Sequence, residues 1–172
     1  MLPSYPDLVI CSQCKAFFWL HNLSPVKEVD TWQIKSWEEI NQEEYLLEAN
    51  FLDLTDLLIA LERRVYKTEN EEFVLRQSIW WAFNDRVRAG KEIFAKPEQR
   101  TIWEDNLRKF QAMLNPEDPS DSVMIAETHR NLGEFDKCME LLNTIKDPDV
   151  SWVIEKIKSE CESGNPLVVS LK

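Results

Sequence analysis

Glycine is nearly missing from this chain, with 3 residues in 172. Sandwiches and barrels built only of strands spend glycine freely on their turns, so the scarcity weighs against an all-β fold. No stretch approaches the roughly 20 apolar residues of a membrane span; the longest candidate, Leu54 to Leu61, is interrupted by Thr55 and Asp56. Basic residues are also in deficit, leaving a net charge of −11. Nucleic acid and anionic membranes are both recognised through excess Lys and Arg, so neither is an expected partner. The mildly basic middle of the chain, residues 61–115, reads as a solvated helix surface. Gly-rich phosphate loops, Gly-x-Ser-x-Gly elbows and His-Glu-x-x-His motifs are lacking too.

What is present suits a globular protein. Hydrophobic residues make up 44% and charged residues 30%, far from the composition of disordered chains. No basic segment precedes the first apolar stretch, so a secretory signal is not expected and a cytoplasmic location is. In that setting the four cysteines are expected as thiols or metal ligands rather than disulfides.

Leu8-Val9-Ile10 and Phe17-Phe18-Trp19-Leu20 are β-branched and aromatic runs on either side of Cys11-Ser-Gln-Cys-Lys-Ala16, the pattern of a hairpin or knuckle. Residues 22–41, with Trp32 and Trp37, read as an aromatic loop laid over the core. Helical spacing starts at Asn41, with Glu44 as capping partner and Tyr45, Leu46, Ala49 and Leu52 on one stripe. Leu54, Leu57, Leu58, Leu61 and Val65 extend it to about Tyr66. Thr68-Glu-Asn-Glu71 opens a helix with Phe73, Ile79, Trp80, Phe83 and Val87 inward and Gly90 past its end. Pro97 opens another, carrying Ile102, Trp103, Leu107, Phe110 and Leu114. After Pro119, with Ser120 or Asp121 as cap, three short helices follow around Met124–Leu132, Phe135–Ile145 and Val150–Cys161.

The expected fold is mainly α: a helical bundle with a small N-terminal β hairpin. Its parts are a knuckle and aromatic loop over 1–40, a helical region over 41–116, and a helical hairpin with a C-terminal helix over 117–172. Cys138 and Cys161 fall on apolar stripes as core residues, and His129 reads as an ordinary surface or packed histidine.

Two sets of residues carry chemistry. Cys11 and Cys14 form a Cys-x-x-Cys pair; a closed tetrahedral zinc site needs four ligands, of which His21 on the returning strand is a candidate third. The pair reads equally as a packed knuckle without metal, and a thioredoxin-like redox role lacks the following helix and βαβ setting. Arg76, Trp80, Asn84 and Arg88 recur every four residues along one helix, with Trp81 and Asp85 beside them. Such a row either lines a groove for a carboxylate or peptide, arginine binding bidentately and tryptophan giving a flat wall, or serves as architecture. Trp80 and Trp81 point different ways, so one of them fills the core.

Ala126-Glu-Thr-His-Arg-Asn-Leu-Gly-Glu-Phe-Asp-Lys-Cys-Met-Glu-Leu-Leu142 resembles the middle of a tetratricopeptide repeat. Leu132 and Gly133 match the end of its first helix, Phe135 the aromatic after the turn, and Cys138 the small residue at the helix contact. Asp147-Pro148 stands near the place of the closing proline. Together with Cys11–Leu20 and Trp80-Trp-Ala-Phe-Asn-Asp85, this segment makes the chain resemble an uncharacterised bacterial family. That resemblance implies an order of parts and, through the front end, a zinc knuckle of the form Cys-Pro-x-Cys-Gly, where this chain has Ser12 and Lys15. The functional expectation is a protein-interaction or scaffolding module taking a protein or peptide partner. The alternatives are a zinc-binding adaptor working through Cys11 and Cys14, and an enzyme with a noncanonical site around Arg76, Asn84, Asp85 and Arg88.

Overall fold

The computed structural model of the protein describes residues 7–24 and 49–168. They form a mainly helical fold with a small three-stranded antiparallel sheet near the N-terminus. The chain divides into two compact units, one ending at Val65 and the other beginning at Tyr66.

In the first unit, β1 (Leu8–Cys11) lies between β2 (Phe17–Trp19) and β3 (Ala49–Asn50). The register pairs Leu8 with Trp19, Ile10 with Phe17 and Cys11 with Ala49. All four residues of β1 are buried, as suits a central strand. Helix α1 (Leu54–Glu62) follows, and the Trp19 indole N–H donates to the Val65 carbonyl at 3.0 Å, holding the end of the unit against the hairpin.

Helical spacing misassigns the entry to this helix. Asn41, Glu44, Tyr45 and Leu46, with the aromatic loop of residues 25–40, lie outside the described residues. Ala49 belongs to a strand and Leu52 precedes α1. The helix starts at Asp53, which caps it reciprocally with Asp56. A cap that satisfies otherwise orphaned amides fixes the boundary more firmly than an apolar stripe does.

The second unit contains α2 (Glu69–Arg88), α3 (Glu98–Gln111), α4 (Pro119–Asn131), α5 (Phe135–Thr144) and α6 (Ser151–Glu162). Thr68 and Glu71 cap α2 as the sequence indicates. Helices α2 and α3 pack through aromatic contacts, Phe83 meeting Trp103 edge-on with centroids 5.0 Å apart and Trp80 meeting Phe110 at 5.5 Å. Asp118, rather than Ser120 or Asp121, caps α4, because Pro119 takes the first helical position and has no N–H to be satisfied.

Helices α4, α5 and α6 close a second core of Ala126, Cys138, Leu142, Ile154, Ile157 and Cys161. Gly133 sits in the left-handed region at φ +73, letting the Glu134 amide reach back to the His129 carbonyl. On α6, Ile154, Ile157 and Cys161 are buried while Trp152 is exposed. The chain then runs as an extended tail. Arg130, fully buried, donates to the carbonyls of Asn165 and Leu167, and Asn131 donates to that of Pro166. No helix among the described residues is long and apolar enough to cross a membrane.

Candidate functional site

Along α2 the four-residue row does not stay on one surface. Trp80 is buried and its indole N–H donates to Asn131 Oδ1 at 2.7 Å, tying α2 to α4. Trp81 is 50% exposed. Arg76 is buried; its guanidinium donates to Glu72 at 2.6 Å and to Asn106 on α3, whose amide in turn donates to the Arg76 carbonyl. Arg76 therefore faces α3. Asp85 is exposed and forms an ion pair with Arg88 at 2.7 Å.

Trp80, Trp81, Asn84 and Arg88 do come together, on the wall of a cavity of about 190 Å3. Helix α4 adds Val123, Met124 and Glu127, α6 adds Val153 and Ile157, and the tail adds Val168. The walls are thus almost wholly apolar, with Asn84 as the polar exception inside and charged groups from Arg88 and Glu127. Asn84 is 3% exposed, and its Oδ1 is buried without a hydrogen-bond partner among the described residues. A buried amide oxygen left in that state costs about 1–3 kcal/mol. Glu127 is held in place by the Arg130 guanidinium beneath it. Sequence spacing pointed to the α2 side of this cavity, whereas Val123, Met124, Val153 and Ile157 carried no signal separating a wall from a core.

The Cys-x-x-Cys segment folds as a tight turn between β1 and β2. The Cys11 amide donates to the Ala16 carbonyl at 2.9 Å and the Lys15 amide to the Cys11 carbonyl at 3.2 Å. Lys15 takes φ +57, so a lysine adopts the left-handed conformation for which glycine is suited. Backbone amides of Cys14 and Gln13, in that order of effect, lower the pKa of the Cys11 thiol by hydrogen bonding, and the Cys14 thiol adds to this. Cys11 is buried and Cys14 exposed.

His21 does not join them. Trp19 pairs with Leu8, so His21 lies past the end of the hairpin remote from the turn, its ring 5.8 Å from that of Trp19. Three strand steps, roughly 10 Å, separate Leu8 from Cys11. Zinc holds sulfur at about 2.3 Å and imidazole nitrogen at about 2.0 Å, so one ion does not reach all three side chains. Among the described residues no three His, Cys, Asp or Glu side chains gather to hold a metal.

A third cluster escaped the sequence reading. His129 Nδ1 lies 2.7 Å from Glu134 Oε2 and its Nε2 lies 2.6 Å from the Gln111 amide nitrogen, joining α3 to the α4–α5 turn. With that amide donating to Nε2, the ring proton sits on Nδ1 and is donated to Glu134. Burial works upward on the Glu134 pKa, but hydrogen bonds from His129, Lys137 and Arg108 outweigh it and hold the carboxyl at about 2. These groups satisfy one another, which marks a clasp between helices. No protein-family model, curated protein or solved structure matches this chain, so its sites are read on their own chemistry.

Proposed function

We propose that this protein is an interaction module that grips a short peptide segment of a partner protein through the Trp80–Trp81 cavity. An apolar side chain enters between Trp80, Val123, Met124 and Ile157, a backbone N–H of the peptide donates to Asn84 Oδ1, and the Arg88 and Glu127 charges select its flanking residues. The observation that carries this reading is an apolar cavity that opens beside an exposed tryptophan and has in its wall Asn84, whose Oδ1 is buried without a partner among the described residues. Cavities of this kind use one placed polar group to orient an apolar ligand. A tetratricopeptide-like reading of the α4–α5 hairpin, drawn from the sequence, would suit the same role. The enzyme alternative would have Arg76, Asn84, Asp85 and Arg88 act at one point, and Arg76 faces away toward Asn106.

Selection from a displayed random-peptide library tests the proposal. Peptides sharing one apolar anchor are expected, with binding to Asn84→Ala weakened roughly tenfold, as for one lost hydrogen bond. Val123→Phe, which fills the cavity without adding charge, should abolish binding. Selected peptides that bind the filled variant as well as the wild type would sink the reading.

A further inference from the structure

Two of the four thiols stand side by side in the second core. Cys138, in the first turn of α5, and Cys161, near the end of α6, are both buried, and their sulfurs lie 3.2 Å apart. Leu142 and Ile157, one turn away on each helix, belong to the same core and hold the two faces together. Any small apolar pair would fill this space, but two thiols add a capability that packing does not need. A disulfide sets its sulfurs about 2.0 Å apart, so closing one here requires an approach of about 1.2 Å between helices already packed. Cys11 and Cys14 belong to the first unit, which leaves each of these thiols one partner within its own unit.

We propose that Cys138 and Cys161 form a redox site, which a peroxide converts to a disulfide stapling α6 to α5 and which small thiols reopen. Peroxide is the oxidant that fits, because it is scarcely larger than water, whereas bulkier disulfide reagents do not enter a closed core. Cys161, 6% exposed against 0% for Cys138, meets it first as α6 loosens. The Cys161 sulfur takes one peroxide oxygen and becomes a sulfenic acid, the O–O bond breaks, and one water leaves. The Cys138 sulfur then displaces that oxygen, which departs with the Cys138 proton as a second water, and the S–S bond forms. Two thiols thereby give two electrons to one peroxide. Burial, and next the neighbouring Cys161 thiol, raise the pKa of Cys138 and make the reaction slow.

The bond fixes the helix that supplies Val153 and Ile157 to the cavity wall. It also ties together residues 23 apart in the chain, which restricts the unfolded state and raises the stability of the second unit.

The experiment exposes native, full-length protein to hydrogen peroxide, blocks the remaining thiols, digests with trypsin and maps the masses. The peptides Cys138–Lys146 and Ser159–Lys172 are expected joined, at the sum of their masses less two hydrogens, and separate again after dithiothreitol. Oxidised protein should unfold on the order of 10 °C above the reduced form. Cys161→Ala should show neither the joined peptides nor the rise, and Cys14→Ser, which removes the exposed thiol, should show both. The map of the wild type stands whether or not a variant folds. Peroxide that leaves both thiols free, that stops at a sulfinic acid on Cys161, or that joins either residue to Cys11 or Cys14 instead would overturn the proposal, as would a joined pair with no rise in unfolding temperature. Peptide capture plays no part in these readings, so this inference and the proposed function fail separately.

Discussion

Both units need residues in the left-handed region where their backbones reverse, and they meet the need differently. The second unit places Gly90 after α2 and Gly133 after α4, where no Cβ opposes the conformation. The first uses Lys15 in the cysteine turn and Arg64 after α1, where the Val65 amide nevertheless closes the same kind of cap onto the Ala60 carbonyl. Glycine ends those helices without a Cβ penalty. The cysteine turn takes the same conformation with a lysine, and the remaining contacts of the small unit have to carry that strain.

The contrast can be broken most forcefully from the second unit. Arg130→Ala leaves Glu127 without its buried partner and the Asn165 and Leu167 carbonyls without their donor. We expect a loss of about 3–5 kcal/mol in urea unfolding, and a loss below about 1 kcal/mol would show that the tail is not clamped as described. Acid should weaken the same unit. The folded pKa of Glu134, about 2, lies below its ordinary 4.5, so its stabilisation is present above pH 4.5 and is lost as pH falls toward 2. The effect is on the order of 2–3 kcal/mol; Glu134→Gln should flatten the pH dependence of unfolding across that window. Asn84→Leu should have the opposite sign, raising stability by about 1 kcal/mol by removing an unpaired buried oxygen while weakening peptide capture. Smallest is Lys15→Gly, expected to stabilise the first unit by about 0.5–1 kcal/mol. Slower amide exchange in β1 and β2 would register it, and no change would mean the turn carries no strain.

The helices were readable where short-range chemistry sets their ends. Thr68 and Glu71 announce α2 because a capping box is a local signal, complete within four residues. Asp53 and Asp56 form the same device with a shorter acid, and the apolar spacing of Tyr45 to Leu52 upstream obscured it. The α2 side of the cavity was visible as a four-residue recurrence. Yet Arg76 left that row because Asn106, thirty residues away, offers both an acceptor and a donor to it. Partnerships of that kind depend on how two helices dock and leave no trace in spacing. The His129–Glu134 pair was hidden differently, since Gly133 folds the chain between them and brings residues five apart into contact.

The distribution of the four thiols has a practical consequence. Only Cys14 is exposed, so a thiol-reactive dye should label native protein quickly at one position and slowly at three. Burial raises the Cys138 pKa and keeps that sulfur inert until the second core opens, whereas Cys11 waits only on the hairpin. Slow labelling resolved site by site would then serve as two internal clocks, one timing the breathing of each unit in the intact chain.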